Sequence, residues 1–142
     1  MAPTLAGRYS QAIHPLHAVL VAGSLALFAG ATLSDLAYSA NYHVQWTNFA
    51  SWLIVGALLL AGLALLFTVI DLVRAHRRLA GFGAYAIVLL VTWAMGFLNA
   101  LVHARDAWAS MPMGLVLSVI TTVLAAIATW LGFAARNTGV TR

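Results

Sequence analysis

The sequence contains no cysteine, no lysine and no glutamate. Without cysteine there can be no disulfide, no thiolate metal site and no haem attached through Cys-x-x-Cys-His. Charge of either sign is scarce, at 7% of residues. A soluble domain carries about a quarter. With 63% hydrophobic residues and a mean hydropathy of +0.97, the chain could not cover its own surface in water. The formal charge of +4 rests on a few arginines at the edges of apolar runs, which excludes a nucleic-acid footprint. No nucleophile–base–acid arrangement and no His-Glu-x-x-His pattern occurs, and Gly81-x-Gly83 lacks the preceding strand that a phosphate-binding loop requires. No catalytic activity of its own is expected.

What is present is four uncharged stretches, 9–34, 36–70, 79–104 and 107–135. A spanning helix needs about 20 apolar residues, so each stretch holds one span, placed at 15–38, 47–73, 79–104 and 112–134. The first apolar run, Leu16 to Leu33, is longer than a signal-peptide core and is read as a span. Pro15 and Pro112 suit first helical turns, where a missing N–H is harmless. The expected fold is all-α, a single integral membrane domain forming an antiparallel four-helix bundle.

Arg8, Arg74, Arg77, Arg78, Arg136 and Arg142 fall on one side of such a bundle and Arg105 on the other. The positive-inside rule then puts both termini in the cytoplasm of a bacterial inner membrane. Tyr38, Tyr42, Trp46, Trp52 and Trp108 would form the opposite aromatic belt. Lipid offers no hydrogen bonds, so polar side chains should turn inward. The helical period gathers His17, Ser24 and Asp35 on the first span, Thr92, Asn99, His103 and Asp106 on the third, and Ser118, Thr122 and Thr129 on the fourth. Small pairs four apart, Ala26/Gly30, Ala57/Ala61, Gly96/Ala100 and Gly114/Ser118, would let helices approach closely.

Five histidines stand out in so apolar a chain. His14, His17 and His76 belong to the inner end, and His43 and His103 to the outer. A neutral imidazole ligates haem iron, and bundles commonly hold haem between helices. His14, His17, His103 and His76 are therefore candidate ligands of a b-type haem, with Arg74, Arg77 or Arg78 available to its propionates. Each has a plainer reading as a cap, a solvated loop residue or a packed side chain. Asp106 could orient the His103 ring, with Asn99 and Asp35 as supporting polar groups; alternatively all four sit among headgroups and bind water. Asp71, one turn before Arg74, reads most simply as an intrahelical pair.

From His14-Pro15-Leu16-His17 onward the chain resembles a bacterial family of four-span inner-membrane proteins catalogued only as a domain of unknown function. The resemblance runs over residues 12–134. It includes Leu33-Ser34-Asp35, Trp46 and Asn48, Phe97-x-Asn99-x-x-x-His103-x-x-Asp106-x-Trp108, and Pro112-x-Gly114-Leu115. Relatives often carry a histidine at the start of the third span; here the nearest is His76. Fusions of relatives to Rieske or c-type cytochrome domains imply a redox setting. Three functions follow as expectations. The first is a haem-binding electron-transfer protein or redox-complex subunit, with membrane or periplasmic redox partners. The second is a cofactor-free membrane anchor or assembly partner, and the third a small transporter. Lipid, and a second copy of the chain, are the remaining expected partners.

Overall fold

The computed structural model describes residues 15–74 and 82–137, with side chains described to residue 134. His14, His76, Arg8, Arg77 and Arg78 lie outside the described residues, as do 79–81 of the expected third span. The chain forms α1 Pro15–Asn41, α2 Val44–Arg74, α3 Phe82–His103, the four-residue α4 Ala107–Ser110 and α5 Met113–Asn137. Four of these are long and apolar enough to cross a bilayer, α5 over Met113–Ala134. The fold is an all-α membrane bundle.

α1 and α2 run through most of the segment expected as a loop at 39–46. Only Tyr42 and His43 separate them. Tyr42 adopts a left-handed backbone, with φ 55°, and the His43 N–H donates to Asn41 Oδ1 at 2.9 Å. The side-chain oxygen of Asn41 thus stands in for a backbone acceptor and closes the turn in two residues. The loop expected after the third span contains α4 and a cis Met111–Pro112 bond. We call the end with these two connections the hairpin end, and the end with Pro15 and Arg74 the terminal end.

The spans form a ring in chain order, α1 beside α2 and α5, and α3 beside α2 and α5. Each presents one narrow buried stripe. On α1 it includes His17, Val21, Ser24, Phe28, Ala31 and Asp35. On α3 it is Tyr85, Leu89, Thr92, Gly96, Asn99 and His103. On α5 it is Gly114, Ser118, Thr121, Ala125 and Ala128. On α2 it is Thr47, Ala50, Ile54, Ala57, Ala61, Ala64 and Thr68. The steps alternate between three and four residues, the spacing of a heptad seam that lets helices wind about a common axis. The fourth-span stripe therefore contains Thr121, while Thr122 and Thr129, expected there, are only half-buried.

Alanine and glycine fill much of these stripes, and large residues sit against small ones. Gly96 faces the Phe28 ring, where a Cβ would come within 2.8 Å. Of the expected small pairs, Ala57/Ala61 is fully buried and Gly30 meets Leu53, but Ala26 is exposed. The terminal half of the core gathers Leu20, Val21, Ala64, Tyr85, Leu89 and Ala128. The hairpin half gathers Phe28, Ala31, Ala50, Ile54, Ala57 and Ala125. Outward-facing side chains such as Val19, Leu33, Leu59, Ile87 and Trp130 are exposed and apolar, a surface suited to lipid.

Candidate functional site

α1 and α3 run in the same direction on opposite corners of the ring, and a fixed offset relates them. His17 meets Tyr85 and Asp35 meets His103, each pair 68 residues apart. Phe28 and Gly96 keep the same offset. Asp35 follows His17 by about five full turns, so both polar pairs lie on the bundle axis, one near each end.

The hairpin-end pair belongs to a ring of hydrogen bonds. His103 Nε2 lies 2.9 Å from Asp35 Oδ1. The Ser118 hydroxyl donates to Asp35 Oδ2 at 2.5 Å. Asn99 Nδ2 donates to Ser118 Oγ at 2.8 Å. His103 Nδ1 lies 3.0 Å from the Asn99 carbonyl oxygen, closing the ring. Asp35 and Asn99 are 0% exposed and His103 and Ser118 are buried. Gly114 makes room for the imidazole, since a Cβ there would lie 2.9 Å from His103 Cε1. One turn nearer the middle, Thr32 and Thr122 cross-link α1 to α5 at 2.9 Å.

These contacts fix most of the proton inventory. The Asn99 carbonyl can only accept, so His103 Nδ1 carries a hydrogen. Ser118 has one hydrogen, and it points at Asp35. Asn99 must therefore present its NH₂ to Ser118, which leaves Asn99 Oδ1 buried and without a partner among the described residues. Between His103 Nε2 and Asp35 Oδ1 lies one further proton. The pair is either imidazolium with carboxylate or imidazole with carboxylic acid.

The serine, the carboxylate and the imidazole do not form a hydrolytic triad. The carboxyl group lies between the other two, so the imidazole does not contact the Ser118 hydroxyl as the general base of such a triad must. Asp106 does not orient His103 as expected; it is exposed at the start of α4, and Asp35 takes that role. The headgroup reading of these residues also fails for Asp35, Asn99 and His103, which are buried and bonded to one another. Asp71 and Arg74 are both exposed and unpaired; among the described residues the one ion pair is Asp35–His103.

At the terminal end His17 Nε2 lies 2.8 Å from the Tyr85 hydroxyl, the rings meeting edge to face. Gly132 admits the Tyr85 ring, which a Cβ would approach within 2.9 Å. Sequence reasoning missed Tyr85; its signal was its place in the buried stripe of α3. The expected aromatic belt is partly internal, since Tyr38 is buried. Tyr42 and Trp108 stack outside with ring centroids 5.5 Å apart, and His43 is exposed beside them.

His103 does not fit an axial haem ligand. Both its nitrogens are engaged, and turning Nε2 toward iron would strand the buried Asp35 carboxyl. His17 and His103 are about 27 Å apart along the axis at 1.5 Å per residue, too far to share one haem. No group of three His, Cys, Asp or Glu able to hold a metal ion occurs among the described residues.

Four apolar spans around an internal acid–base cluster define a small polytopic membrane protein. The chain belongs to the DUF2231 family, described as a predicted membrane protein, whose model matches residues 13–140. No curated protein and no solved structure matches it.

Proposed function

We propose that the chain is a cofactor-free membrane subunit, an anchor or assembly partner in a bacterial inner membrane, whose interior polar groups lock its own fold. One observation carries this reading: both nitrogens of His103 are spent inside the ring that ties α1, α3 and α5. Polar groups spent on one another are not available to a substrate. An exterior of aliphatic and aromatic side chains along the spans offers lipid or another membrane helix a contact surface. A transport path is disfavoured because Phe28 and Leu89, both buried, fill the interior between the polar ends.

The redox reading survives in one form, a b-type haem at the terminal end. Its support is that His17, buried there, follows His14 by three residues in the sequence. Such a haem would supply one-electron transfer, and His17 would leave Tyr85 to ligate it.

An optical spectrum of the protein purified after expression with ample haem separates the two. The anchor reading expects a colourless protein. A sharp reduced α-band that His17→Ala abolishes would replace it with the haem reading.

A further inference from the structure

We propose that Asn99 Oδ1 binds a single buried water molecule, which completes the polar ring at the hairpin end. The proposal goes beyond the anchor reading and stands whether or not a haem is bound elsewhere.

The case begins with what holds the amide in place. Ser118 gives its only hydrogen to Asp35 Oδ2, so its oxygen can only accept from Asn99. Flipping the amide would set Asn99 Oδ1 against that oxygen, lone pair against lone pair. The orphan acceptor is therefore built in by its neighbours. It is a neutral carbonyl oxygen, 0% exposed, with no donor among the described residues, and hydrocarbon chains supply none. Buried polar atoms of this kind are almost always satisfied by protein or by ordered water.

The surroundings suit a water. The 68-residue offset sets Ala31 opposite Asn99, and Ala31 carries only a methyl group where the adjacent layer has the Phe28 ring. A buried water needs two to four polar partners. Asn99 Oδ1 takes one of its hydrogens. Asp35 Oδ2 accepts a single bond within the ring, from Ser118, and retains a lone pair for the other. A neutral double donor of this size matches both acceptors. A cation the size of ammonium would need more oxygen ligands than the site offers.

Water-to-protein Overhauser spectroscopy on the full, isotope-labelled chain in lipid nanodiscs tests this. The expected result is a cross-peak between water and the Asn99 side-chain NH₂ protons, with the sign of a dipolar contact rather than chemical exchange. Asn99→Leu should remove the corresponding water contacts of Ser118 and His103. The proposal is overturned if the Asn99 NH₂ protons show no dipolar contact with water while exposed Asn41 does. It is equally overturned if the contacts of Ser118 and His103 persist in a folded Asn99→Leu variant. Should that variant fail to fold, the measurement on the native chain decides alone.

Discussion

Gly114, on α5, leaves the space that the His103 ring of α3 occupies. A Cβ at Gly114 would lie 2.9 Å from His103 Cε1, and the imidazole cannot retreat without losing its partners. Gly114→Ala should destabilise the bundle by about 1–3 kcal/mol, the usual range for overpacking. Gly83→Ala is the control, because nothing lies within 4 Å of its Cβ position. It should be neutral or stabilising by up to about 1 kcal/mol. Equilibrium unfolding in mixed detergent measures both.

Removing both members of the acid–base pair should cost less than the sum of removing each alone. Asp35→Leu or His103→Leu alone leaves a buried polar partner uncompensated, a loss of about 3–5 kcal/mol for a buried pair. The double substitution should recover more than about 1 kcal/mol of the summed losses, as directly contacting residues do. Additive losses in this cycle would mean the two side chains do not interact.

Gly96 and Gly30 should respond differently to added bulk. At Gly96 a Cβ meets the Phe28 ring at 2.8 Å and Leu58 at 3.1 Å, so Gly96→Ala should cost about 1–3 kcal/mol. At Gly30 the nearest atom is the end of the Leu53 side chain at 3.3 Å, which can rotate aside. Gly30→Ala should cost under about 1 kcal/mol. Thermal scans in detergent compare the two. Equal effects would contradict the contact geometry.

Orientation is predicted from the arginines. Cysteine placed at Ala40 or Ala109, both exposed at the hairpin end, should react with an impermeant thiol reagent added from the periplasmic side. Cysteine at Ala80, close in sequence to Arg77 and Arg78, should not. The reverse pattern would invert the topology. Ser110, which sequence alone would also place in the loop, is buried and is unsuited to this labelling.

Spans and interior faces were largely legible because charge is so scarce that its positions bracket the helices. His17, Ser24, Asp35, Thr92, Asn99 and His103 could be assigned to buried faces from the helical period alone. The bond from His103 to Asp35 could not. Spacing along one helix finds only partners a turn away, which is why Asp106 looked like the second member of the pair. The true partner stands across the bundle, on a helix that is not a ring neighbour. The stripe on α5 shows a second limit. A straight period of 3.6 drifts from a wound seam of 3.5 by about 20° per heptad. That drift is enough to favour Thr122 over the buried Thr121. The two-residue turn was hidden because it depends on a left-handed tyrosine, an uncommon choice for a bulky residue.

The matched seams of the two hairpins bear on which halves of the bundle can pair. Steps on α1 recur on α3, and those on α2 from Ala50 to Ala64 recur on α5 from Gly114 to Ala128, so either hairpin has a shape into which its counterpart from another molecule could be exchanged. The side chains at the shared position disfavour the symmetrical alternatives. Two first hairpins would bring Asp35 against Asp35, and two second hairpins His103 against His103. Only an acid from one half opposite a base from the other closes the bundle, so each hairpin recognises its complement and rejects its own likeness.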